Sequence, residues 1–275
     1  VIVKKLNENK IILASTDIGS YKGFTNIKEL QDCSNPYDAF ALHKAALIAC
    51  GVIPYSNSVN QSEEEVSLDV LLNSIGGGFY LSTRVINIPR GSGLGTSSIL
   101  AAACVKGIYE FLGAYIKNHE IYNRVLCIEQ IMSTGGGWQD QVGGLEKGIK
   151  MVTSSAGLDQ KIKSEQIQVS DATYKELEKR FCVIYTGQRR LARNLLREVV
   201  GKYIGCDPTA IEVLYEIQRV SVLMRFELEK GNIGGFAKLL NQQWELSKKL
   251  DSGCTNTCIE QIFFACEDLI DGRMI

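Results

Sequence analysis

Almost no net charge is left over in this sequence: 30 lysines and arginines stand against 31 aspartates and glutamates, a formal net charge of −1. That balance excludes the basic footprint of a nucleic-acid binder and the one that holds a protein on an anionic membrane. No apolar run approaches the roughly 20 residues of a membrane span. CxxC pairs are missing too. The nine cysteines are scattered singly, which suits reduced thiols in a cytoplasmic protein and not a disulfide framework. Cys254 and Cys258 can share a helix face, but without a nearby histidine they make no zinc site. The opening Val1-Ile2-Val3-Lys4-Lys5 has neither an initiator Met nor a signal-peptide pattern. Internal repeats and low-complexity segments are absent. What remains, 45% hydrophobic and 22% charged residues over 275 positions, is an ordinary globular composition sufficient for one large or two modest domains.

The most informative stretch is Pro89-Arg90-Gly91-Ser92-Gly93-Leu94-Gly95-Thr96-Ser97-Ser98. Three glycines at alternate positions separate a β-branched run, Thr83 to Ile86, from the alanine-rich segment after Ile99. Glycines let a backbone fold tightly and bring N–H groups close to a ligand. The following helix adds its unsatisfied N–H groups and the positive end of its dipole, a combination suited to phosphate. The hydroxyls of Thr96, Ser97 and Ser98 fall where the first turn begins, so one can cap the helix and another can reach a magnesium ion. No Gly-Lys-Ser/Thr follows, so this is not a Walker A loop; Thr96 stands where a dinucleotide fingerprint needs its third glycine. The Val-Ala-Ile-Lys strand that partners a protein-kinase glycine loop is missing as well. The alternative is a glycine-rich turn with a Ser/Thr cap.

Taken in order, Lys10–Thr16 reads as a strand, Pro36–Ala49 as a helix containing His43, and Ser56–Glu65 as a polar surface loop. His43 reads as a hydrogen-bonded structural residue. The segment from Asp69 to Ile75 is apolar, Phe79–Ile86 is a strand, and a helix runs from about Ser98 to Ile116. Another begins near His119, with Ile121, Val125, Ile128 and Met132 at helical spacing and Glu129 close to its end. Gly135-Gly136-Gly137-Trp138-Gln139-Asp140-Gln141-Val142-Gly143-Gly144 breaks that helix. Asp140 there can meet a substrate hydroxyl, or it can simply cap a glycine loop. Strands are expected at Gly148–Thr153 and Gln166–Val169, a short helix at Thr173–Arg180, and a buried strand at Phe181–Thr186. Helical spacing then recurs over 191–202, 210–229, 236–250 and 259–270. A domain boundary is expected near residue 176, giving domains 1–176 and 177–275.

Pro-x-x-x-Gly-Leu-Gly-Thr-Ser-Ser resembles the phosphate-binding motif of the GHMP small-molecule kinases. In that family a loop hydroxyl and a helical glutamate hold magnesium, and a downstream aspartate faces the hydroxyl to be phosphorylated. Glu129 and Asp140 lie eleven residues apart, a spacing similar to that of the mevalonate kinases. The resemblance therefore implies that Pro89 to Ser98 hold ATP, that Thr96 or Ser97 (Ser97 foremost) and Glu129 hold Mg2+, and that Asp140 is the catalytic acidic residue. Aspartate, a hard cation and loop donors suit phosphoryl transfer, which needs a proton acceptor, alignment and charge neutralisation.

Within the family the motifs resemble the L-fucokinase branch. The resemblance is carried by the phosphate loop, by Thr134 to Gly144, by Asn35 to Leu47 and by Tyr185-Thr186-Gly187-Gln188-Arg189-Arg190-Leu191-Ala192-Arg193. It implies an α+β, two-domain fold with a ribosomal-S5-domain-2-like N-terminal half and a ferredoxin-like C-terminal half. It also implies phosphorylation of the anomeric hydroxyl of L-fucose, and a kinase in some cases fused to a GDP-fucose pyrophosphorylase. Heptose 7-phosphate kinases share a related loop and are the alternative, as is a non-catalytic nucleotide-binding segment of a larger enzyme. Two family motifs, one upstream and one glycine-rich and later, are not in this sequence, so a fragment is expected. Arg189, Arg190 and Arg193 read as a solvated helix face or as phosphate contacts. Tyr185 reads as a packed strand residue. Trp138 can stack on a sugar or simply be buried.

Overall fold

The computed structural model describes residues 1–33, 35, 37–55, 67–89, 91–157, 159–187 and 192–274, with 192–197 described by backbone alone. The chain divides into two compact units, Val1–Lys147 and Gly148–Ile275. The boundary expected near residue 176 lies inside the second unit, within a helix.

The first unit is built on strand β2 (Ile11–Ser15), whose five residues are all buried. Burial on both faces calls for a central strand, and β2 is flanked on both sides. β3 (Ser20–Phe24) returns antiparallel, with Ile11 opposite Phe24 and Ser15 opposite Ser20. β4 (Phe79–Thr83) runs parallel on the other side, with Ile11 beside Phe79 and Ser15 beside Thr83. β1 (Ile2–Lys5) closes the sheet antiparallel to β4, giving the order β1-β4-β2-β3. A parallel pair needs a long crossover, here carrying α1 (Ile27–Gln31), α2 (Ala41–Ala49) and α3 (Leu68–Ser74). After β4 come α4 (Thr96–Phe111), α5 (Asn118–Ile131) and α6 (Gln139–Leu145). The sheet face bearing Ile11, Leu13, Phe79 and Leu81 packs in one core with Ala45 and Leu47 of α2, Ala101, Ala102 and Val105 of α4, and Ile121, Val125 and Ile128 of α5. Small side chains on α2 and α4 let the helices approach closely.

His43 lies in α2, is 2% exposed, and its Nε2 is 2.9 Å from Thr83 Oγ1 at the end of β4. Burial pushes its pKa down to about 4. It is a neutral structural imidazole, as its place in an apolar helix suggests. Beside it, the buried Lys44 pairs with Asp38 at 2.6 Å and lies over the Phe24 ring.

The second unit opens with the hairpin β5 (Lys150–Ser154) and β6 (Ile162–Gln166), the latter four residues earlier than sequence spacing placed it. Helices α7 (Asp171–Arg180), α8 (Ala192–Ile204), α9 (Pro208–Lys230), α10 (Ile233–Leu250) and α11 (Thr257–Ala265) follow. α9 obeys local rules at both ends: Asp207 caps it, Pro208 occupies its first turn, and Gly231 ends it at φ +75°. Val213 and Val220 of α9 pack with Leu246 of α10.

The expected buried strand at Phe181–Thr186 does not form. Phe181, Val183, Ile184 and Tyr185 are 50–70% exposed and the segment is irregular. A β-branched, aromatic run becomes a strand only where a neighbouring edge accepts its hydrogen bonds; among the described residues β5 pairs with β6 alone, and Phe181–Thr186 joins neither of them. Sequence reading also passed over β3, α1 and α6; the loop it expected at 56–65 lies outside the described residues.

Candidate active site

The segment joining β4 to α4 carries alternating backbone handedness. Gly91, Gly93 and Gly95 have φ of +71°, +77° and +63°, while Ser92 and Leu94 between them stay out of the left-handed region. Such alternation turns successive N–H groups towards one concave side, a nest that accepts anions. Only glycine adopts the left-handed turns without strain. Gly95 is also the N-cap of α4, so the helix begins at Thr96 with no side-chain cap. The loop therefore delivers its N–H groups straight into a helix N-terminus of sixteen residues.

No hydroxyl of the first turn is used for capping. Ser98, buried, donates instead to Glu129 Oε1 at 3.0 Å. Glu129 projects from the last turn of α5 and is 6% exposed. Its other oxygen, Oε2, accepts from Thr134 Oγ1, which also lies 3.0 Å from the Glu129 carbonyl oxygen. A buried carboxylate unsupported by donors is costly, and here two hydroxyls from different elements hold it. Gly136 completes the wall, since a Cβ there would stand 3.0 Å from Oε2.

Asp140 sits in the first turn of α6. Its side chain is packed on the loop: a Cβ on Gly95 would be 2.9 Å from Asp140 Cγ and 3.2 Å from Oδ1. The residue is exposed overall, yet neighbouring backbone strips water from part of the carboxyl and raises its pKa. Gln141 behind it is fully buried.

Of the residues expected at the site, Pro89, Gly91, Ser92, Gly93, Leu94, Gly95, Thr96, Ser97 and Ser98 form one loop and helix start, and Arg90 lies outside the described residues. Glu129 and Asp140 both reach that helix start. The hydroxyl on Glu129 is that of Ser98; Ser97 is exposed one position earlier. Among the described residues no cluster of three or more His, Cys, Asp or Glu side chains forms a metal cage. Magnesium does not require one, because it is held through one or two carboxylates, phosphate oxygens and water, and a fixed Glu129 with hydroxyls at hand fits that chemistry. Sequence reading missed Thr134 as a partner of Glu129. Its signal was a hydroxyl residue five positions on, just past the helix end, where the chain turns back through Ser133 at φ +53° and Gly135 at φ +72°. Tyr185, in the second unit, is exposed; Gln188 to Leu191 and the side chain of Arg193 lie outside the described residues. No helix among the described residues is long and apolar enough to cross a membrane.

Residues 65–148 match the model of the GHMP kinases N terminal domain. The chain is 33% identical over 268 residues to an L-fucokinase/L-fucose-1-P guanylyltransferase of Bacteroides fragilis, covering 98% of this chain and 28% of that protein. It is 35% identical over 226 residues to a bifunctional fucokinase/GDP-fucose pyrophosphorylase of Arabidopsis thaliana, covering 82% of this chain and 20% of that one. The chain thus spans roughly a quarter of the length of these relatives. In fold it resembles the Methanococcus jannaschii mevalonate kinase, with a TM-score of 0.60 at 19% identity over 98% of this chain and 74% of that one. The glycine loop, Glu129 and Asp140 all fall within the matched residues 65–148, and this part of the chain is a GHMP kinases N terminal domain.

Proposed function

We propose that this chain is the kinase part of an enzyme that transfers the γ-phosphoryl group of ATP to the anomeric hydroxyl of L-fucose, giving fucose 1-phosphate. The observation that carries the chemistry is the contact of Asp140 with Gly95, which sets a carboxylate beside the loop that would hold the phosphates. The loop N–H groups and the α4 N-terminus bind and align the triphosphate. Asp140 takes the proton of the attacking hydroxyl; the new O–P bond forms as the bond to the departing ADP breaks. Its raised pKa makes it a better proton acceptor than an ordinary aspartate. Glu129, with Thr96, Ser97 or Ser98, would hold magnesium, which supplies charge neutralisation on the phosphates. The sugar assignment rests on the fucokinase relatives. The same relatives support a longer bifunctional protein with a pyrophosphorylase part. Nine free thiols suit a cytoplasmic setting.

A panel of MgATP with L-fucose, a heptose 7-phosphate, galactose or mevalonate, read by ADP release, tests the assignment, with phosphorus NMR of the product. Fucose-dependent release, lost in Asp140→Asn, is the expected result. Release with the heptose phosphate and none with fucose would move the chain to the heptose kinases, to which a Campylobacter jejuni enzyme is 25% identical over 178 residues. MgATP binding without release on any sugar would make it a nucleotide-binding segment.

A further inference from the structure

Helix α6 meets the start of α4 at two points. At the first, Asp140 lies on Gly95; at the second, Gly144 lies on Ile99, where an added Cβ would stand 2.5 Å from Ile99 Cγ1, 2.8 Å from Cδ1 and 3.5 Å from Cβ. Positions 95 and 99 are one helical turn apart, as are 140 and 144, so each pair shares a face. The contacts are reciprocal. A side chain of α6 rests on the glycine that caps α4, and a side chain of α4 rests on a glycine of α6.

Gly144 is not required by the backbone. It lies inside α6, outside the left-handed region that favours glycine, and glycine is among the least favourable residues for a helix interior. Local energetics would choose alanine; with Ile99 where it is, an added Cβ would press on its Cγ1 and Cδ1, so that Ile99 or α6 must shift. Ile99 does not readily swing aside, because a β-branched side chain in a helix is held to one dominant χ1 rotamer.

We infer that Gly144 is a positioning residue for phosphoryl transfer. Its missing Cβ sets the spacing of α6 on α4, and with it the distance from the Asp140 carboxylate to the phosphate loop. This rests on the reading of Asp140 as the proton acceptor. A methyl group at position 144 lifts α6 from Ile99 and carries Asp140 off Gly95, whereas the left-handed turns of the loop at Gly91, Gly93 and Gly95 belong to its own backbone. A misplacement of about 1 Å at a reacting group can cost about a hundredfold in rate.

The test compares Gly144→Ala, Ile99→Ala, the double variant and Asp140→Asn in sugar-dependent ADP release. In Gly144→Ala kcat falls by at least about tenfold with KM for MgATP unchanged, and the double variant regains the rate of Ile99→Ala. The double variant also melts at or above Ile99→Ala, since alanine replaces a helix-interior glycine once the space exists. A readout free of turnover is fluorine NMR of fluorotryptophan-labelled protein, which has two tryptophans. The signal of Trp138, the N-cap of α6, shifts in Gly144→Ala and returns in the double variant, while that of Trp244, in the second unit, stays. Wild-type kcat in Gly144→Ala, a double variant as slow as Gly144→Ala, or an unmoved Trp138 signal would overturn the inference while leaving Asp140 in its role. Asp140→Asn turning over like the wild type would overturn both.

Discussion

Gly95 and Asp140 are in contact between the cap of α4 and the first turn of α6: a Cβ on Gly95 would stand 2.9 Å from both Cβ and Cγ of Asp140. The residue that ends the phosphate loop and the residue read as proton acceptor therefore share one packing constraint. Gly95→Ala violates it twice, by the clash and by placing a side chain at φ +63°, which costs about 1–2 kcal/mol in backbone strain. Turnover falls by about a hundredfold or more and nucleotide affinity falls with it, because the same residue shapes the loop. Steady-state kinetics with nucleotide titration checks both.

Asp140→Asn separates chemistry from binding. It lowers kcat by about 10²–10⁴-fold and leaves the dissociation constant of MgATP within error of wild type. The pH profile of the wild type carries an acid limb: activity is lost as pH falls through a pKa above the ordinary aspartate range, because desolvation favours the protonated acid. The same shift works against stability at neutral pH, where the folded state must hold a carboxylate that the unfolded chain solvates better. Asp140→Asn is therefore as stable as the wild type or more so, and thermal melting at neutral pH measures it.

Removing either hydroxyl from Glu129 weakens the fold and the use of magnesium together. Thr134→Val and Ser98→Ala each leave one oxygen of a buried carboxylate short of a donor, at about 1–3 kcal/mol. Each also raises the Mg2+ concentration needed for half-maximal rate, and Glu129→Gln raises it further. Thr134→Ser keeps the hydroxyl and stays close to wild type. Denaturant unfolding and magnesium titration are the measurements; an unchanged magnesium requirement in Thr134→Val would remove Glu129 from the metal.

His43 gives the chain an acid-sensitive spot against Thr83 at the end of β4. Its folded pKa lies near 4 against an ordinary 6.5, so the unfolded state takes up a proton first as pH falls. Stability is fully present above pH 6.5 and declines between 6.5 and 4, by about 3 kcal/mol in all. His43→Gln flattens that decline in urea unfolding series taken across the same range.

Much of the site was legible because its requirements are local. Three alternate glycines before a hydroxyl-rich helix start describe a phosphate nest without reference to anything distant, and all three glycines adopt the left-handed turns that such a loop needs. Glu129 and Asp140 were singled out by type, spacing and family likeness. What local reading could not supply was α6. Gly143 and Gly144 made its sequence read as a loop, yet tertiary contact with α4 holds it helical and makes one of those glycines useful. The same limit explains the opposite error at Phe181–Thr186, where strong β-propensity is not matched by pairing with either strand of the β5–β6 hairpin.

The amino-acid sequence by itself determined the nest, the N-terminus that follows it, the presence of a strand at β2, and the capped ends of α9. Each is settled by φ preferences, periodicity or capping within a few residues. The tertiary structure alone decided that Ser98 and Thr134 hold Glu129, that Gly95 carries Asp140, and that Gly144 faces Ile99. The Ser98–Glu129, Gly95–Asp140 and Gly144–Ile99 pairings depend on how closely helices far apart in the chain approach one another, and the Thr134–Glu129 bond on how the chain turns back after α5.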